Sequence, residues 1–408
     1  MNRNVKPMPT LSVAPFAAQV PLLPVIEQAK SLLENESVAY ASGTRRRPAK
    51  RQIKLALADV TTGEVRVVSG VHSGGKLTLD DSEIRFEVEW WNGFNSAINI
   101  LEPANTAVVA MLYSIDAQHQ RALGQDAIIY TPYSSALLQS ELIDAGKNHL
   151  MDKILRAREE LKSVPSRALP GTSLAESGVF TDQDFFNIIL TEQMDPGQFR
   201  QIVGWSIELN EQQITDLMRL AERILVIVGA NQDDAYRFTG NYARARGLTQ
   251  FTPTGMRVVW SQYPDAGISR NFMEATSDQV SAIKAQICLM DSYLAEAAAR
   301  HSALMGSGLE RYAAGAAYNG GPGRVGYGLE RFGLNWLHPV IRLNELQGKA
   351  SLTRNELLEL RWLKRNRSHE TFVYLNKLRA IEQAQGERVV GSASLPASRD
   401  SAYDQLGR

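Results

Sequence analysis

The hydrophobic pattern of the chain changes period part-way along. From Gln52 onward apolar and polar residues alternate in short runs: Ile53-Lys54-Leu55-Ala56-Leu57, Glu64-Val65-Arg66-Val67-Val68 and Ile84-Arg85-Phe86-Glu87-Val88-Glu89-Trp90. A period of two suits half-buried strands, because successive side chains point to opposite faces. Thr62-Gly63, Ser73-Gly74-Gly75 and Asp80-Asp81 separate the runs with turn residues, and the apolar run Thr106 to Ile115 predicts a further strand. Residues 52–125 are therefore expected to form a small antiparallel β domain. Trp90 and Trp91 should face opposite ways on a regular strand, which leaves one of them open to solvent and to sugar stacking; core packing is the plainer reading.

Past residue 133 the spacing lengthens to that of a helix. Leu137 to Leu161 predicts a helix within a linker over 126–175, which closes on Pro165, Pro170 and Gly171. Asp182 to Gln193, Glu211 to Gly229, Ser277 to Leu304, Gly308 to Tyr318, Trp336 to Gln347 and Arg354 to Gln385 then predict a mainly helical domain over 176–385. Residues 1–51 read as a flexible leader and 386–408 as a disordered tail rich in Ser, Ala and Gly. The expected fold class is α+β and multidomain, with a small antiparallel β domain ahead of the helical one.

Composition narrows the partners. The 408 residues can bury two or three cores, and 44 basic residues balance 44 acidic ones, so no broad field draws in nucleic acid or an anionic membrane. The basic run Thr44-Arg45-Arg46-Arg47 with Lys50 and Arg51 reads as a solvated linker, with contact to an anionic envelope polymer as the alternative. A single cysteine, Cys288, excludes an internal disulfide and a thiolate metal site. His301, His338 and His369 lack ligand spacing, so no metal is expected. Leu11 to Val25 is apolar but broken by Pro15, Pro21 and Pro24, which makes neither a clear signal-peptide core nor a membrane span.

Four segments of the helical half carry candidate chemistry. Ile188-Ile189-Leu190-Thr191-Glu192-Gln193-Met194-Asp195-Pro196 delivers Glu192 at the end of an apolar helix, before an Asp-Pro stop. A carboxyl desolvated there stays protonated near neutrality, as general-acid cleavage of a glycosidic bond requires; alone, such a residue is more often a solvated surface group. Arg246-Gly247-Leu248-Thr249-Gln250-Phe251-Thr252-Pro253 is a turn in which Gly247 permits close backbone approach, Gln250 offers an amide and Pro253 can begin a helix. Ala316-Ala317-Tyr318-Asn319-Gly320-Gly321-Pro322 closes a helix on glycines, and Glu370-Thr371-Phe372-Val373-Tyr374-Leu375-Asn376-Lys377 reads by itself as an ordinary amphipathic helix.

In this order, over residues 181–385, the four segments resemble the catalytic domain of soluble lytic murein transglycosylases, which share the goose-type lysozyme fold. The resemblance implies Glu192 as acid and then base, and Gln250, Tyr318 and Asn319 lining the cleft, with Tyr374 reaching the catalytic carboxyl. It implies cleavage between N-acetylmuramic acid and N-acetylglucosamine in peptidoglycan, assisted by the 2-acetamido group and ending in a 1,6-anhydro sugar. It further implies no metal or organic cofactor, and work in the bacterial cell envelope or periplasm. The β domain would be free to hold a cell-wall partner.

Three departures bear on that expectation. Gln193 stands where the family has Ser, and Thr249 where it has Met. The interval from Glu192 to Gly247 is several-fold longer than usual and holds a helical insertion over about 200–240, with Ile214, Leu217, Leu220, Ile224 and Val228 as its apolar stripe. The insertion also creates a rival acid, Asp233 in Gln232-Asp233-Asp234-Ala235-Tyr236, nearer the family's spacing to Gly247 but shorter in reach. Competing readings are a hydrolytic lysozyme or chitinase-like enzyme on the same fold, a catalytically inactive peptidoglycan-binding module and a cytosolic helical scaffold.

Overall fold

The computed structural model describes residues 20–41, 50–91, 93–115, 125–240, 244–366 and 369–386. The arginine run at 45–47 and the tail beyond Gly386 lie outside these residues. The fold is α+β, and the chain divides into two compact units. The first runs to His149 and takes in Leu225–Tyr236; the second comprises Leu150–Ile224 and continues from Arg237.

The first unit opens on a helix where a flexible leader was expected. Helix α1 (Leu22–Glu34) buries Leu22, Val25, Ile26, Ala29 and Leu33, a stripe of helical spacing that the prolines around it obscure in the sequence. Its first turn is capped from afar: the Glu141 carboxylate accepts from the backbone N–H groups of Leu22 (2.7 Å) and Leu23 (3.1 Å). The strands follow as β1 (Tyr40–Ala41), β2 (Lys50–Asp59), β3 (Val65–Ser73), β4 (Lys76–Leu79), β5 (Arg85–Trp90), β6 (Ala97–Glu102), β7 (Thr106–Ser114) and β8 (Ala127–Tyr130). An antiparallel sheet runs β4-β3-β2-β7-β8 with β1 also on β2, while β5 and β6 form a separate hairpin. Every residue of β7 is buried, as a central strand covered on both faces requires. Both tryptophans are half-buried and engaged within the unit: Trp90 donates to the Asn95 carbonyl (2.9 Å), and Trp91 stacks on His72 at 3.8 Å.

Two longer helices are α2 (Ser140–Glu160) and α5 (Glu211–Asn231), separated by α3 (Asp182–Gln193) and α4 (Pro196–Ile202). The expected insertion is therefore not one hairpin apart: the end of α5 belongs to the first unit. There the Asn231 amide pairs with both the N–H (2.8 Å) and the carbonyl (2.9 Å) of Thr131, much as a neighbouring strand would. The backbones of α2 and α5 touch at two glycines. A Cβ on Gly146 would lie 2.0 Å from the Leu225 carbonyl oxygen, and one on Gly229 would lie 2.1 Å from that of Leu142.

The second unit continues with α6 (Pro253–Gln262), α7 (Phe272–Ser277), α8 (Gln279–Arg300), α9 (Glu310–Gly320), α10 (Pro322–Phe332), α11 (Pro339–Gly348), α12 (Arg354–Asn366) and α13 (Glu370–Ala384). Helix α8 is buried all round from Gln279 to Ser292, which makes it the axis of the unit. Its Asp291 accepts from Ser166 Oγ (2.6 Å), the Arg167 N–H (2.7 Å) and the Tyr263 hydroxyl (2.7 Å), so the expected proline-marked linker is pinned to the core. The single helix expected over 354–385 is two; the second begins afresh where His369 Nδ1 accepts from the Thr371 N–H. Among the described residues no helix is long and apolar enough to cross a membrane.

Gly146→Ala tests the helix crossing. Alanine favours an isolated helix by about 1 kcal/mol over glycine, yet here its methyl must displace a carbonyl. The variant should be destabilised by about 1–3 kcal/mol, read as a lower melting transition. An unchanged or raised transition contradicts the close contact.

Candidate active site

Helix α3 is built to end at Glu192. At its start Thr181 and Asp184 form a reciprocal cap: the Thr181 side chain accepts from the Asp184 N–H (3.2 Å), and the Asp184 carboxylate accepts from the Thr181 N–H (2.7 Å). Phe185, Phe186, Ile188, Ile189 and Leu190 then sink the helix into the core. At its far end Asp195 accepts from the Gly197 and Gln198 N–H groups (both 2.8 Å), and Pro196 starts α4 without needing a donor. The Asp-Pro pair thus turns the chain directly behind Glu192.

The four sequence segments meet in the second unit. Gln193 Nε2 donates to the carbonyls of Gly247 (3.2 Å) and Leu248 (2.6 Å). The Tyr318 hydroxyl donates to the Thr249 carbonyl (2.6 Å), and its ring packs edge-on to Phe251. Gly320 sits against Thr371, where a Cβ would lie 2.1 Å from Oγ1, and Gly315 faces Tyr374 Cε1 at 3.5 Å in the same sense. Gly247, at φ +73°, sits against the Thr276 carbonyl oxygen, 2.3 Å from where a Cβ would be; glycine is needed there for both space and backbone conformation.

Glu192 lies among these groups. It is half-buried: water reaches part of the residue while protein packs closely around its carboxyl. Burial pushes its pKa up to about 7, opposed by the Tyr374 hydroxyl and the Lys377 ammonium and aided by the Glu370 carboxylate. Tyr374 is near enough to act on the carboxyl, yet its buried hydroxyl closes no hydrogen bond of ordinary geometry. Two more buried oxygens nearby have no partner, Thr371 Oγ1 beside Gly320 and Asn319 Oδ1 one residue before it. Burial and the Glu192 charge raise both tyrosine hydroxyls well above their usual pKa, so Tyr318 and Tyr374 stay protonated.

Of the residues expected at the site, Glu192, Tyr318 and Tyr374 fall together in this way, and Asn319 follows Tyr318 in the chain. Gln250 is on the adjoining turn at φ +48°, but its amide donates inward, to the Gly247 carbonyl (2.9 Å) and Thr239 Oγ1 (3.2 Å). Its donors hold the turn in shape. The rival acid Asp233 belongs to the first unit, is 71% exposed and lies 3.7 Å from His149 Nε2, without the burial a general acid needs. Among the described residues no cluster of three or more His, Cys, Asp or Glu could hold a metal ion.

Two residues of the site were not foreseen. Gln193 looked like a departure and proves to be the tie between the first and second segments. Lys377, buried on α13, donates through Nζ to the carbonyls of Thr191 (3.0 Å) and Met194 (2.6 Å), on either side of Glu192. Its only signal in the sequence was its place three positions after Tyr374, on the same face of the helix. Helix α13 is buried from Thr371 to Glu382, so it is not the amphipathic surface helix its pattern suggested.

Glu192 takes up a proton more readily folded than unfolded. Between its ordinary pKa of 4.5 and about 7 the native state holds the extra proton, and the stability this gives is lost as pH rises through about 7. Glu192→Gln mimics the protonated form. It should leave the melting temperature nearly unchanged at pH 5 and raise stability by about 1–2 kcal/mol at pH 8, allowing for solvent access. Equal effects at both pH values would contradict a raised pKa. No family model matches this chain, and no curated protein or solved structure matches it.

Proposed function

We propose that this chain is a lytic transglycosylase of peptidoglycan, with the second unit as its lysozyme-like catalytic domain. The observation that carries the reading is the half-buried, readily protonated Glu192 held against Tyr374 and Tyr318 where four separate segments converge. The Tyr374 hydroxyl supports it, because a buried polar group left without a hydrogen bond of ordinary geometry is uncommon and this one acts on the Glu192 carboxyl.

In the proposed reaction Glu192 gives its proton to the glycosidic oxygen between N-acetylmuramic acid and N-acetylglucosamine, and the C1–O bond breaks. The 2-acetamido oxygen of the muramic residue covers C1 from within the sugar, so no nucleophilic carboxylate is needed. The Glu192 carboxylate then takes the proton of the muramic C6 hydroxyl, whose oxygen bonds to C1 and releases the acetamido group. Glu192 ends protonated as it began, and no water is consumed. Peptidoglycan lies in the bacterial envelope, so the reading also carries a location.

A second reading, hydrolysis of the same bond, draws on Glu370. This exposed carboxylate is close enough to Glu192 to raise its pKa and could activate a water.

Digestion of purified sacculi, with mass spectrometry of the products, tests both. The wild type should release anhydro-muropeptides, one water lighter than hydrolysed ones. Glu192→Gln should lower the rate by about 10²–10⁴-fold. Glu370→Gln should keep the anhydro product under the first reading and abolish cleavage under the second. A wild type that pellets with sacculi and releases nothing would leave only a binding protein.

A further inference from the structure

Between Asp234 and Asp265 the chain carries Arg237, Arg244, Arg246 and Arg257 and no acidic residue. Arg246 differs from the rest in how firmly it is built in. Its N–H donates to the Phe251 carbonyl (3.0 Å) and its carbonyl accepts from the Phe251 N–H (2.9 Å), while its other side bridges Gly240. The guanidinium lies over Gly240, with Nη1 3.8 Å from where a Cβ would be. The residue is half-buried, its Nε is buried without a hydrogen-bond partner, and no carboxylate among the described residues forms an ion pair with it. Burial alone acts on its pKa and lowers it, whereas Arg311 and Arg342, which have carboxylate partners, are raised. A partly desolvated cation without a counter-ion is strongly unfavourable.

Its place gives that charge a use. Arg246 directly precedes Gly247 and Leu248, whose carbonyls are gripped by Gln193, the neighbour of Glu192. The turn that carries Arg246 is thereby tied to the residue that follows Glu192. The bond cleaved in the reading above flanks a muramic residue, and every muramic residue carries an acidic appendage. A guanidinium matches a carboxylate with two parallel hydrogen bonds.

We propose that Arg246 is a substrate-binding residue that receives a carboxylate of the glycan strand, so that the protein selects acidic strands over neutral amino-sugar chains. The inference rests on the proposed glycan reading. The carboxylate has two sources, the stem peptide or the lactyl group left when the peptide is removed.

The test uses the full chain with Glu192→Gln, so that binding is read without turnover, and three probes: peptide-bearing glycan strands, strands stripped by an amidase, and chitohexaose. The parent should bind at least one acidic probe about tenfold more tightly than chitohexaose, with an affinity that falls as salt rises. Adding Arg246→Gln should remove that preference, and Arg246→Lys should keep part of it. Preference for peptide-bearing strands points to the stem, and preference for stripped strands to the lactyl group; either supports the proposal. Equal binding of all three probes by the parent, or a folded Arg246→Gln protein that keeps the preference, overturns it while leaving the glycan reading intact. A parent that binds none of the probes fails the glycan reading itself, and the proposal with it. Should Arg246→Gln not fold, the salt dependence of the parent on acidic against neutral probes decides.

Discussion

The last carbonyls of an α-helix have no partner within the helix. At the end of α3 two such acceptors, those of Thr191 and Met194, receive the ammonium of Lys377. This contact fixes the backbone on both sides of Glu192 and joins α3 to α13, the helix that carries Tyr374. It also sets a positive charge at the negative end of a helix dipole. Burial lowers the lysine's pKa and raises the glutamate's, and each charge pulls the other back toward ionisation. Burial wins at Glu192, which is why it can hold a proton near neutrality. Once that proton is given away, the new carboxylate faces a cation already in place. In the proposed reaction, where the acid next serves as a base, the ammonium would favour the ionised state without having to move.

The remaining contacts limit where the site can flex. Gly247 and Gly320 each sit so close to a neighbour, the Thr276 carbonyl and the Thr371 hydroxyl, that a methyl group would collide. Arg311 pairs with Glu382 through two hydrogen bonds of 2.8 and 3.1 Å, tying α9 to α13 one turn beyond Leu378. Tyr374 and Thr371 are therefore held on a helix that cannot readily turn to satisfy its own hydroxyls. Leaving such buried hydroxyls unmet costs stability, which the packing around α13 must offset.

What could be read from the sequence was what local patterning controls. Alternation placed β2, β3 and β5, a continuous apolar run placed β7, and the capping residues Thr181 and Asp195 bracket a helix whose limits were anticipated at Asp182 and Gln193. The acid could be proposed only because four segments in order resemble a catalytic domain; its apolar helix alone would as readily end at a solvated surface. What stayed hidden depends on contacts between distant residues. The cap on α1 comes from Glu141, the break before α13 depends on the His369 ring, and α5 ends in the first unit because Asn231 pairs with Thr131. Lys377 was hidden for a different reason. A lysine inside a helix reads as exposed unless the acceptors that receive it are known, and those acceptors lie on α3.

The departures from the transglycosylase pattern look different once the contacts are traced. Where the pattern has Met, Thr249 contributes its main-chain carbonyl to Tyr318, a contact open to any side chain. Where it has Ser, Gln193 spans the gap to two further carbonyls of the same turn, and its longer side chain supplies the reach. Gln250 spends its donors within the turn, on the Gly247 carbonyl and Thr239 Oγ1. A site joined largely through backbone carbonyls constrains spacing and conformation more than residue identity. The residues at 193 and 249 are therefore no obstacle to the proposed reading, although neither matches the motif that suggested it.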